Sequence, residues 1–169
     1  RQAGMVSSAT SRTLRLLLLT ATLVLALAAT GCSSAPIASL VPTGSGPLVT
    51  VTTRGGECPQ GACGSTVVIE RDGSVHDAAK PPNTVGTVPS EVLTALDAAI
   101  RTTDFGAVRA VPFTGECPVN YDGQERIYEF GAPGGVERVA SCETAIDPAH
   151  PVFARTEAAL IAAGALPEP

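Results

Sequence analysis

Five cysteines are the residues of this sequence whose spacing most clearly limits their chemistry. Cys32 ends an apolar stretch, Cys58 and Cys63 are close neighbours, and Cys117 and Cys142 lie further along the chain. With Cys32 set aside the count is even, which is typical of two disulfides in an exported domain. Of the three possible pairings we favour Cys58–Cys63, which closes a short loop of turn-forming residues, together with Cys117–Cys142. A zinc site is disfavoured because the spacing fits no zinc motif.

Two histidines are the other residues that could carry chemistry. His76 is followed directly by Asp77, and such a pair could form half of a proton-transfer unit. His150 lies at the start of a predicted helix. The sequence lacks G-x-S-x-G, a glycine-rich loop ending in Gly-Lys, H-E-x-x-H, C-x-x-C-H and a D-x-D-x-D calcium loop. We therefore interpret His76 as a solvated hairpin end, and we assign no catalytic, cofactor-binding or metal-ligating residue.

Acidic side chains cluster around the second predicted hairpin. Glu125 and Glu129 are two steps either side of Ile127, so all three project from one face of their strand. A site for a cation or a basic partner is one interpretation of this cluster. We favour a solvated outer face with ion pairs, because exposed charges usually contribute little else. The neighbouring charged residues are Arg126, Glu137, Arg138 and Glu143.

The stretch that ends at Cys32 has the three-part order of a secretory signal. Arg12 and Arg15 provide a positive start, and no acidic residue occurs before Glu57. An apolar run follows and closes in small residues at 28–31. The run is somewhat shorter than the roughly 20 apolar residues of a membrane-spanning helix. An uncleaved single-span anchor and an ordinary signal peptide are the alternatives that the pattern leaves open.

Ala29-Thr30-Gly31-Cys32 resembles the lipobox of bacterial lipoproteins, although leucine is commoner at the position of Ala29. In that class a diacylglyceryl group is attached to the cysteine sulfur, and the leader is cut directly before the cysteine. The resemblance implies lipidation at Cys32 and attachment to the extracytoplasmic face of the cell membrane. The richness in Ala, Val, Thr, Gly and Pro and the scarcity of lysine are similar to small lipoproteins of high-GC actinobacteria.

The 169 residues divide into a leader at 1–31, a flexible Ser/Pro/Gly-rich tether at 32–47 and a single domain at 48–166. Loss of the leader removes three arginines, so the net charge falls from −5 to −8. Such an acidic body argues against binding to nucleic acid. We expect a monomer that meets the membrane through the lipid on Cys32, with an envelope protein as its partner and no cofactor.

The hydrophobic periodicity predicts an α+β domain, with a small antiparallel sheet of hairpins and two helices packed on one face. Asp72-Gly73 is the strongest hairpin signal. The first helix is expected to be capped by Ser90, and the second to start at Asp147 or Pro151. Phe105, Val108, Val111 and Phe113 are expected core residues in an irregular stretch. Strands are predicted at 48–53, 66–71, 74–76, 124–130 and 136–142, and a loop at 78–87.

Two further patterns suggest other interpretations. Gly-Glu-Cys-Pro occurs at 56–59 and again at 115–118, through either duplication or coincidence. The segment 117–122 resembles the reactive-site segment of the Streptomyces subtilisin inhibitor family, whose members are also secreted α+β proteins with two disulfides. The leading functional hypothesis is a cell-envelope lipoprotein that acts as a non-enzymatic binding or interaction module. A protease inhibitor that uses the loop after Cys117 and a small envelope hydrolase are the alternatives.

Overall fold

The computed structural model of this protein describes residues 46–58 and 61–167. The predicted leader, the lipidation site at Cys32 and the tether up to position 45 lie outside these residues. Within the described part of the chain, no helix is long and apolar enough to cross a membrane.

Six antiparallel strands form one sheet, in the spatial order β4-β3-β2-β1-β5-β6. Neighbours in sequence pair as hairpins on either side, and the pairing of β1 with β5 joins the two halves. The strands are β1 (Val49–Cys58), β2 (Gly61–Ile69), β3 (Ser74–Asp77), β4 (Thr84–Thr87), β5 (Gln124–Ala132) and β6 (Gly135–Ala140).

One face of the sheet carries the core. Val49 pairs with Phe130 and Val51 pairs with Tyr128, and all four side chains are buried. Antiparallel partners project to the same side, so the alternation of apolar residues fixes this face. The apolar alternation within the strands predicted at 48–53 and 124–130 thus places these four side chains in the core.

Two long helices cover that face. They are α1 (Ser90–Thr102) and α3 (Pro151–Ala162), with the short α2 (Phe105–Arg109) between them and a 3-10 helix at Pro118–Tyr121. Phe153 of α3 lies 5.1 Å from Tyr128 and 6.1 Å from Phe130, measured between ring centroids. Phe105 of α2 lies 5.2 Å from Phe130. The predicted α+β class, with helices packed on one face of the sheet, is confirmed.

Both predicted disulfides are present. The Cα atoms of Cys58 and Cys63 are 5.4 Å apart, and those of Cys117 and Cys142 are 5.1 Å apart. Each distance lies within the usual range for a bridge. The first bridge joins the paired ends of β1 and β2, whereas the second joins the loop before the 3-10 helix to the turn after β6.

Apart from shifts at strand ends, among them the start of β2 at Gly61 and the end of β6 at Ala140, the strands differ from the prediction in β1 and β4. Gly55 and Gly56 do not end β1; both adopt positive φ, of 88° and 87°, and the register shifts between Arg54 and Glu57. Glycine tolerates this conformation, so the pair forms a bulge through which β1 continues. The predicted loop at 78–87 ends in β4, an edge strand whose residues are mostly exposed and therefore show no apolar alternation.

The helical region also differs in part. Ser90 is the first residue of α1 and its side chain makes no capping hydrogen bond, because Pro89 occupies the cap position. Phe105 is buried as predicted, and it begins a helix rather than an irregular stretch. Val111 is 55% exposed, so its assignment to the core is wrong. The start of α3 is at Pro151, the second of the two predicted positions.

The two copies of Gly-Glu-Cys-Pro occupy unlike elements. Residues 56–58 lie at the end of β1, whereas residues 115–117 lie in a loop before the 3-10 helix. This placement favours coincidence over duplication.

Candidate functional site

His76 is held by acceptors on both sides of its ring. Its Nδ1 lies 2.8 Å from the carbonyl oxygen of Asp77, and its Nε2 lies 2.9 Å from Oε1 of Glu70. Donation to both acceptors needs both ring protons. The Asp77 carbonyl, and then the Glu70 carboxylate, therefore raise the pKa of His76 above its ordinary value.

The carboxylate of Asp77 is engaged elsewhere. It accepts hydrogen bonds from the backbone N–H groups of Ala79 and Asn83, at 2.9 and 2.8 Å, and from the Asn83 side chain at 2.7 Å. The Asn83 side chain, the Asn83 N–H and the Ala79 N–H lower the pKa of Asp77, in that order of strength. The neighbours His76 and Asp77 thus contact each other through a backbone carbonyl, which is not the geometry of a proton-transfer pair.

His150 lies at a cleft of about 290 Å³ between α2 and the start of α3. Its Nδ1 accepts a hydrogen bond from the N–H of Val152 at 3.4 Å and so caps α3. Asp104 caps α2 through the N–H of Ala107. The residues described as lining this cleft include no Ser, Thr or Cys that could act as a nucleophile; they are Asp104, Ala107, Val108, Val111, Ala145, Asp147, His150 and Phe153.

The segment that resembles an inhibitor's reactive site forms the 3-10 helix at Pro118–Tyr121 and ends at Asp122 in a left-handed conformation. Tyr121 is 57% exposed, and its hydroxyl donates to the carbonyl oxygen of Glu116 at 2.8 Å. The backbone after Cys117 is therefore helical rather than extended.

The acidic cluster consists largely of ion pairs. Glu137 pairs with Arg109 at 2.6 Å, and Glu143 pairs with Arg138 at 3.0 Å. Both pairs agree with the predicted solvated face. Glu125 does not: its side chain is only 1% exposed and forms an ion pair with Arg54, which projects from the adjacent position of β1.

No group of three or more potential metal ligands occurs among the described residues. A different kind of site lies on β2, which is longer than β3, its neighbour on one side. Only Val67, Val68 and Ile69 pair with β3, so positions 61–66 have β1 on one side and no described strand on the other. We call this segment the open edge. A groove extends from β1 across the open edge to the end of β3, and it is lined by Thr52, Thr53, Gly64, Ser65, Thr66, Val67, Asp77, Ala78 and Ala79.

Sequence reasoning missed the open edge because the predicted second strand begins at Thr66, whereas β2 begins at Gly61. The signal that could have revealed it is the favoured Cys58–Cys63 disulfide, since a bridge across a tight turn brings both flanking segments together. With β3 expected to be short, a longer β2 would have left an unpaired stretch.

No family model matches this chain, and neither a curated protein nor a solved structure shows detectable similarity to it.

Proposed function

We propose that this protein is a cell-envelope lipoprotein, anchored through lipid on Cys32, whose domain is a non-enzymatic module that binds a partner protein. The lipobox-like sequence before Cys32 supports the anchor. The two disulfides support an oxidising, extracytoplasmic location, because such bonds persist outside the cytosol.

The observation that carries the binding role is the open edge of β2. An unpaired strand presents backbone donors and acceptors that another chain can use. The residues considered for catalysis are engaged in structural contacts instead. His76 is held by a carbonyl and a carboxylate, and His150 caps a helix.

The anchor is strong enough to hold the domain at a membrane. Each buried CH₂ group contributes about 0.8 kcal/mol, and one acyl chain alone gives only marginal binding. A diacylglyceryl group provides two chains and therefore stable attachment. The tether predicted at 32–47 would then hold the acidic domain away from the bilayer.

Metabolic labelling with a radioactive fatty acid tests the anchor. In a bacterial host that processes lipoproteins, the wild-type chain should take up label and sediment with membranes. Cys32→Ala should take up none, and should accumulate as uncut precursor or be released. Ser33→Ala, which leaves the cysteine in place, is the matched control. Label in Cys32→Ala, or its absence from the wild type, would show that the anchor is assigned wrongly.

A further inference from the structure

The open edge is long enough to receive a strand. It comprises six positions, 61–66, and among the described strands only β1 pairs with them. At roughly 3.3 Å per residue the edge extends for about 20 Å, the length of an ordinary strand. The incoming strand would continue the line of β3, which ends at Asp77.

The backbone groups along this edge have a definite direction. The N–H of Glu70 donates to the carbonyl oxygen of Ser74 at 2.8 Å, in the register that pairs β2 with β3, so even-numbered residues of β2 bond towards β3. Odd-numbered residues of β2 therefore bond to β1, where Ser65 lies opposite Thr53. It follows that Gly64 and Thr66 direct their N–H and C=O groups away from β1, to the side on which no described strand pairs with them.

The open edge carries few of the devices that usually protect a free strand. Lysine, proline, inward-pointing charges, shortness and β-bulges are the common ones, and a bulge is present in the adjacent β1, at Gly55-Gly56. Its sequence, Gly-Ala-Cys-Gly-Ser-Thr, holds no charged residue and no proline. The two outer strands of the sheet are protected in other ways. β6 carries the charged residues Glu137 and Arg138, which pair with Arg109 and Glu143, respectively. β4 is four residues long and packs against Ala163.

One end of the groove is negatively charged. The Asp77 carboxylate is fixed by its three hydrogen bonds from Ala79 and Asn83. A carboxylate offers about four acceptor positions, so one remains for an incoming donor. A lysine or arginine would form a charge-assisted hydrogen bond there. The acidic net charge of the domain also attracts a basic partner.

We infer that the open edge of β2 is a strand-addition site, which takes an extended segment of a partner protein with a basic side chain facing Asp77. Main-chain hydrogen bonds to Gly64 and Thr66 would supply affinity, and the carboxylate would supply selectivity. This inference rests on the proposed interaction role and names the partner's chemistry.

A displayed library of random ten-residue peptides, selected on the mature full-length protein, is the probe. Selected peptides should be rich in β-branched residues and carry a basic residue. Thr66→Pro removes an edge-facing N–H without removing a bond to β1, and should weaken their binding by about tenfold or more. Thr66→Val is the matched control. Both variants lose the hydroxyl contact with Thr52, but the valine variant keeps the backbone N–H, so its affinity for the peptides should stay within about twofold of the wild-type value.

A second variant tests the charge. Asp77→Asn should weaken the binding of basic peptides while leaving peptides without a basic residue unaffected. Amide hydrogen exchange in the free protein should be fast at Gly64 and Thr66, and peptide should slow it.

Four results would overturn the inference: no enrichment from the library, undiminished binding to Thr66→Pro, an Asp77→Asn effect that ignores peptide charge, or protection of the Thr66 amide without peptide. The last would mean that another segment of the chain, or a second copy, already occupies the edge. If peptides bind equally well to Thr66→Pro, the protein still binds a partner, but through a surface other than the open edge. If the Cys32 labelling fails, the lipid anchor is contradicted, whereas the strand-addition site is unaffected.

Discussion

The two disulfides should differ in what they contribute to stability, because they close loops of different length. Cys117–Cys142 spans 25 positions, whereas Cys58–Cys63 spans 5. The chain-entropy relation gives about 3.5 kcal/mol for the longer loop and about 2 kcal/mol for the shorter one at 25 °C. The free energy of unfolding should therefore fall by about 1.5 kcal/mol more in Cys117→Ala/Cys142→Ala than in Cys58→Ala/Cys63→Ala.

Backbone contacts lie near both bridges. Cys58 ends β1 and Cys63 is the third residue of β2, and these two strands pair with each other. Near Cys117–Cys142, the N–H of Phe113 donates to the carbonyl oxygen of Glu143 at 3.1 Å. The expected difference between the two bridges therefore rests on loop length.

Urea unfolding followed by circular dichroism measures both effects, with the two double variants compared at equal pH and salt. The slopes against urea must agree for the comparison to hold, since a changed slope would report a changed unfolded state. Equal losses, or a larger loss on removing Cys58–Cys63, would refute the loop-length reasoning. A variant lacking both bridges should lose about the sum of the two if they act independently.

Three further predictions concern the core and the hairpins. Gly86→Ala should destabilise the domain by well over 1 kcal/mol, because the added methyl would overlap a backbone oxygen of the turn after α3; Gly134→Ala, which meets nothing within 4 Å, is the control, and similar melting temperatures would contradict the packing. Phe130→Ala, at the centre of the aromatic cluster, should cost about 3–5 kcal/mol in urea unfolding, and a loss under 1 kcal/mol would place the core elsewhere. The raised pKa of His76 should add stability that is complete below about pH 6.5 and lost as pH rises through the higher folded-state value. Glu70→Gln should reduce this pH dependence, and an unchanged profile between pH 5.5 and 8.5 would show that the contact does not form.

The parts of the fold that local patterns determine were predictable. Alternation of apolar residues in β1 and β5 identified the inward face, and Asp72-Gly73 placed the turn between β2 and β3. These features depend on neighbouring residues alone. The two disulfides were also predictable, since an even count and a short turn-rich loop left few arrangements.

Other parts depend on tertiary contacts. Gly55-Gly56 is typical of a turn, yet the disulfide and the pairing with β2 carry β1 through it as a bulge. β4 has too few buried residues to show a period and exists because it pairs with β3. The open edge arises because β2 is longer than β3, which leaves part of β2 unpaired on that side. Such a mismatch involves two separate segments and therefore has no local sequence signature.

The mass of the mature protein, purified from membranes, tests the central claim most directly. If the account is right, the polypeptide begins at Cys32 and its first residue carries the added mass of a diacylglyceryl group. A chain that begins elsewhere with a free thiol at Cys32 would contradict the account and leave the domain without its lipid anchor. A chain that retains the residues before Cys32 would contradict it in favour of an uncleaved single-span anchor.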